Sequence, residues 1–129
     1  MFFPGDPIAL KRPGANHVKR IMYNSQQTQM MVDSIRLRDQ HFKQPLFDGP
    51  LHMDVTFFMR PSKKFTALNK KTFINQYHTF IPDLSNMIKY VEDTAQGILY
   101  KNDSIISSIT AKKVYDLNPR TEFTLKTLI

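Results

Sequence analysis

The chain contains no cysteine, which removes disulfides, thiolate metal ligands, zinc fingers and thiol nucleophiles from consideration and fits a reducing compartment. Any metal here must sit on oxygen or imidazole. Acidic residues are also in short supply: 11 Asp and Glu stand against 18 Lys and Arg, leaving a net charge of +7 and favouring polyanionic partners. Good solubility alone produces the same balance, so the distribution of charge has to decide. No run approaches the roughly 20 apolar residues that span a bilayer. The opening Met1-Phe2-Phe3-Pro4-Gly5-Asp6 lacks the basic and hydrophobic regions of a secretory signal, and a cytoplasmic protein is expected. Also missing are a Gly-rich phosphate loop, a nucleophile elbow and a kinase-like motif, so nucleotide hydrolysis, esterase and phosphotransfer chemistry are poorly supported.

What is present is enough apolar material for one core. Of 129 residues, 41% are hydrophobic and 12% aromatic, and with no repeat, low-complexity tract or linker the expectation is one domain over 1–129. Ile8-Ala9-Leu10, between Pro7 and the Lys11-Arg12-Pro13-Gly14 turn, reads as a short first strand followed by a basic loop. A surface helix is expected from Ser25 to about Phe42, where Met30, Met31, Ile35 and Leu37 recur at partly helical spacing. Leu51 to Met59 alternates as a half-buried strand does, with Leu51, Met53, Val55 and Phe57 on one side and His52, Asp54 and Thr56 on the other. From Pro82 to Gly97 a helical wheel gathers Leu84, Met87, Ile88, Val91 and Ala95 into one apolar sector. Asp83 falls at the N-cap, and Asn86, Lys89 and Asp93 lie on the polar side. Strands at Ile105 to Val114 and Phe123 to Leu128, separated by the turn Asp116-Leu117-Asn118-Pro119-Arg120, are expected to close the chain as a hairpin.

Phosphodiester cleavage at neutral pH calls for a divalent cation held by carboxylates inside a basic surface. Asp83 at a helix start and Asn102-Asp103 before a strand form the natural pair for that purpose. Lys89 could neutralise charge developing on the phosphate or orient the attacking water. Taken singly, Asp83 reads as a helix cap, Asp103 as a turn residue and Lys89 as a solvated lysine. Asp93, four residues after Lys89, reads as its ion-pair partner and positioner.

Lys63-Lys64, Lys70-Lys71 and Lys112-Lys113, with Lys11 and Arg12, are ordinarily solvated faces. Near a carboxylate site they become candidates to track a DNA backbone without reading its sequence. Phe65 and Phe73, interleaved with those lysines, could stack at a junction centre or simply pack in the core. His17, His41, His52 and His78 show no metal-ligand spacing.

Pro82-Asp83-Leu84-Ser85-Asn86-Met87-Ile88-Lys89, then Asp93, then Gly97-Ile98-Leu99-Tyr100-Lys101-Asn102-Asp103, resembles the signature of the RusA family of Holliday-junction resolvases: P-D-x-D-N-x-x-K, a later D, and G-x-x-x-x-D-D. Asp83, Asn86, Lys89, Asp93, Gly97 and Asp103 coincide with it. The likeness extends over most of the chain, from Gly5-Asp6-Pro7-Ile8 with its basic turn through Leu51 to Pro61 to Lys112-Lys113. It implies an α+β fold, a small mixed sheet packed with helices, a homodimer, and magnesium- or manganese-dependent paired nicking of four-way DNA junctions in recombination and repair, in a protein of bacterial, phage or viral origin. Asp83 and Asp103 would be metal ligands and Lys89 the electrostatic catalyst. Two departures each remove a carboxylate: Ser85 stands at the family's second aspartate and Asn102 at the first of its paired aspartates. Ile81 also replaces a lysine that often precedes the Pro-Asp pair. Ser85 and Asn102 would then serve as substitute or water-mediated ligands in a slow, manganese-preferring or junction-restricted enzyme. The alternative is a non-catalytic junction-binding protein on the same scaffold.

Overall fold

The computed structural model describes residues 1–10, 17–63 and 73–129, and over 17–25 the backbone alone. Lys11, Arg12, Lys64, Phe65, Lys70 and Lys71, all candidates for DNA contact, lie outside the described residues. The elements run β1 (Phe2–Pro4), α1 (His17–Gln40), β2 (Leu51–Met59), α2 (Leu84–Ala95), a 3-10 turn (Asp103–Ile105), β3 (Ile106–Tyr115) and β4 (Arg120–Thr127). The fold is α+β: the strands make one mixed sheet in the order β1-β4-β2-β3, with α1 and α2 packed against each other beside it.

β2 is the spine of this sheet because its sequence alternates without a break. Leu51, Met53, Val55, Phe57 and Met59 are buried, and each such side chain withdrawn from water contributes roughly 1.5–3 kcal/mol. They meet Met87, Tyr90, Val91 and Ala95 of α2, Leu37 of α1, and Phe3 and Phe123 from the neighbouring strands on the same face of the sheet. α2 follows the expected wheel but is shorter than expected. Asp83 is extended, with ψ 140°, and Gln96 is extended at the other end. Gly97 follows with φ +84°, a left-handed conformation that costs a residue with a Cβ.

Three expectations are corrected. Ile8-Ala9-Leu10 is not a strand; the sheet begins instead with Phe2 and Phe3, paired antiparallel to Glu122 and Thr121. The 8–10 segment packs on the core and the Leu10 N–H bonds to the Asn86 carbonyl at 2.9 Å, so its apolar residues are partly buried and the segment is tied to a helix rather than to a sheet. α1 begins at His17, well before Ser25, since helix continues where apolar periodicity does not announce it. The chain does not close on a hairpin. β3 runs parallel to β2, and β4 runs antiparallel to β2 on its opposite edge. The turn after β3 crosses the end of β2, where the Asp116 N–H donates to the Met59 carbonyl at 3.0 Å. The outer edge of β3 is occupied by residues 75–78: the Tyr115 N–H donates to the Gln76 carbonyl and the His78 N–H to the Lys113 carbonyl. No helix among the described residues is long and apolar enough to cross a membrane.

Candidate active site

α2 is amphipathic, and its outward face carries the candidate chemistry. The Lys89 Nζ lies 3.3 Å from Asp93 Oδ1, one helical turn along, and 3.3 Å from Asp103 Oδ2, across from the helix. The first contact follows from the i, i+4 spacing. The second requires the chain to reverse after α2, which it does through Gly97: the Ile98 and Leu99 N–H groups bond to the Ala95 carbonyl, and the Gly97 N–H bonds to the Tyr100 carbonyl. Leu99 and Tyr100 are buried behind this reversal, and the Tyr100 hydroxyl donates to the Glu92 carbonyl at 2.7 Å. Asp103 is fixed further by its own N–H, which donates to Gln96 Oε1 at 3.3 Å.

Of the expected site residues, Lys89, Asp93 and Asp103 are therefore brought together. Asn102 is next to them and exposed, with its Oδ1 accepting the Ser104 N–H at 3.0 Å as the cap of the 3-10 turn. Asp83 and Ser85 are exposed in the approach to α2 and its first turn. Asp83 occupies the N-cap position without a side-chain cap bond, so its carboxylate is not consumed by the helix. At 1.5 Å per residue it stands about 9 Å along the axis from Lys89; its carbonyl accepts from the Met87 N–H at 3.2 Å, and among the described residues no hydrogen bond or ion pair reaches its carboxylate. Among the described residues no group of three or more His, Asp or Glu converges on one point.

The electrostatics fix what Lys89 can do. The hydrogen bond that Lys89 donates to Asp103 raises its pKa above the ordinary lysine value; burial opposes that rise, and the charge and hydrogen bond of Asp93 add to it. It therefore remains an ammonium at any physiological pH, suited to stabilising negative charge and unsuited to abstracting a proton. Glu92, which sequence reasoning missed, has its pKa raised chiefly by burial; the Lys89 charge opposes that rise, while Asp103 and Asp93 add to it. Gln96 was also missed. Nothing in the sequence distinguishes either from a solvated helix residue until the 97–103 reversal brings Asp103 alongside.

The donor set is oxygen only and open to solvent, which fits a hard cation. Magnesium keeps several waters and takes one or two carboxylates rather than an all-protein cage.

The basic residues divide. Lys63 and Lys112 are exposed, and Lys112 pairs with Thr56 on the sheet face away from the helices. Lys113, on the opposite face, donates to the Phe80 carbonyl and to the Pro82 carbonyl at 2.8 Å. It holds the loop that delivers Asp83 to α2. Phe73 is fully buried, with its ring edge-on to Tyr115 at 6.3 Å, so of its two readings the packing one is realised. His78 has an unpartnered buried Nδ1, and burial, then the Lys113 charge, lower its pKa from 6.5.

The model of the family described as Endodeoxyribonuclease RusA matches residues 4–126. A protein of Bacillus subtilis strain 168 described as uncharacterized protein YqaN is 27% identical over 130 residues, covering 95% of this chain and 91% of that protein. No solved structure matches significantly. With the family model spanning nearly the whole chain, from the last residue of β1 into β4, the protein belongs to the RusA endodeoxyribonuclease family.

Proposed function

We propose that this protein is a divalent-metal-dependent endonuclease that resolves four-way DNA junctions by paired nicks, acting in the cytoplasm as a homodimer of one-domain subunits. The observation that carries the reading is the Lys89 ammonium held 3.3 Å from each of two carboxylates on the open face of α2. Asp103 and Asp83 are assigned as metal ligands, Ser85 and Asn102 as neutral or water-mediated ones, and Asp93 as the positioner of Lys89. When bound, magnesium or manganese supplies the Lewis acid for the scissile phosphate. Lys89 offsets the charge that accumulates on the phosphate oxygens, and Lys63, Lys112 and the basic positions 11, 12, 64, 70 and 71 track the backbone. Two-fold symmetry suits the substrate, since a four-way junction presents equivalent strands to equivalent subunits.

A non-catalytic junction-binding role is the second reading, favoured by the neutral side chains at Ser85 and Asn102. Cleavage of an end-labelled four-way junction and a linear duplex, in magnesium, manganese or chelator, separates the two. Metal-dependent paired nicks confined to the junction, accelerated in Ser85→Asp, support the enzyme. Tight junction binding without nicks in either metal supports the binder.

A further inference from the structure

Immediately before Asp83, the chain presents apolar side chains to solvent. Phe80 is 67% exposed, Ile81 85% and Tyr77 72%, a concentration that is uncommon on a protein carrying a net charge of +7 unless the patch has a partner. The loop is held rather than loose. Lys113 Nζ donates to the carbonyls on either side of Ile81, those of Phe80 and Pro82. The Phe80 ring is propped at 6.0 Å, interplanar 77°, by His78, which lies 5.0 Å from the buried ring of Tyr115. An edge of the sheet thus supports an apolar tip two residues from a candidate metal ligand.

We infer that Phe80 and Ile81 form a wedge that enters the base stack at a DNA branch point and sets the strand to be cut against Asp83. This rests on the endonuclease reading above. Three facts select bases as the occupant. The tip lies two residues from Asp83, the proposed metal ligand, so a DNA strand whose phosphate reaches Asp83 passes beside it. The chain's charge attracts polyanions. Nucleic acid combines a phosphate backbone with apolar base faces, and these are accessible where stacking is interrupted, at junctions more than in linear duplex; apolar side chains inserted between base steps unstack and kink DNA elsewhere. Ile81 has no polar atom with which to bind phosphate, so its contribution is expected to be insensitive to salt, unlike that of the lysines.

The test uses the full chain, in chelator so that cleavage does not intervene, with a four-way junction carrying 2-aminopurine at the branch point and a linear duplex of the same sequence. The wild type is expected to raise the probe's fluorescence on binding. Ile81→Ser and Phe80→Ala are expected to lose that rise and to weaken junction binding about ten- to hundredfold, as loss of a stacking contact does. Duplex binding should stay within about twofold, and Phe80→Leu should restore part of the signal. Equal loss on junction and duplex, or no loss on either, overturns the wedge; if the wild type still nicks junctions, the endonuclease reading survives that result. A change in sedimentation of Ile81→Ser without a change in junction binding overturns it in favour of a contact between copies of the chain. A wild type that does not prefer junctions overturns the wedge and the resolvase reading together.

Discussion

The two sides of α2 carry carboxylates in opposite circumstances. On the inner side Asp33, reaching from α1, is 2% exposed and fully engaged: it accepts from the Tyr90 hydroxyl at 2.7 Å, from Arg36 at 2.9 Å and from Gln29 at 3.2 Å. Burial, then Asp33, push the Tyr90 phenol far above its ordinary pKa, so it stays a donor. Ser34 and Thr94 continue the network, Ser34 Oγ donating to the Thr94 carbonyl and Thr94 Oγ1 to that of Tyr90. On the outer side Asp103 is partly open, and its carboxylate shares one ammonium with Asp93. A carboxylate whose lone pairs are filled by protein donors holds helices together. One that keeps lone pairs facing water can take a metal, and the cost of leaving it so is small because water still solvates it.

Removing the outer cation is expected to have the largest effect. Lys89→Met should lower the rate of junction cleavage about 10²–10³-fold, which corresponds to roughly 3–4 kcal/mol of transition-state stabilisation. Its melting temperature should be nearly unchanged, since exposed ion pairs contribute little. Single-turnover cleavage beside a thermal melt checks both halves. Asp33→Ala is expected to do the reverse: the buried Tyr90 hydroxyl and its neighbours lose their acceptor, lowering stability by about 2–3 kcal/mol and the melting temperature by about 10 °C. Junction cleavage below the melt should persist. Loss of cleavage at temperatures where Asp33→Ala is folded would break the contrast between the two sides.

The smallest expected effect lies in the loop before Asp83. The His78 pKa is lowered from 6.5 in the fold, so the unfolded chain binds the proton first; the stabilisation is present above pH 6.5 and is lost as pH falls below it toward the folded value. His78→Gln should flatten the dependence of melting temperature between pH 7.5 and 5.5, by less than about 1 kcal/mol for this partly exposed ring. An unchanged slope would mean that another group governs it.

How legible this was in the sequence depended on whether a signal was local. The alternation of Leu51 to Met59 and the apolar sector from Leu84 to Ala95 follow from the periods of strand and helix, and both elements form where those periods put them. The positions of Asp83 and Asp103 follow from the family pattern. Pairing partners do not: a short turn between β3 and β4 reads as a hairpin, yet the free edge of β2 captures β4. Asp33 was invisible for the same reason, since an aspartate within a helix reads as surface until a distant Tyr90 reaches it. Lys113 looked identical to Lys112, and only the alternation of β3 turned one to the loop and the other to the open face of the sheet.

The most direct measurement compares Asp103→Asn with Asp33→Asn, which remove the same charge from opposite sides of α2. Asp103→Asn is predicted to melt like the wild type and to bind a four-way junction, with nicking abolished in magnesium and in manganese; Asp33→Asn is predicted to melt lower and to nick. Nicking by Asp103→Asn at the wild-type rate in saturating manganese would contradict the account and move the active site elsewhere in the molecule.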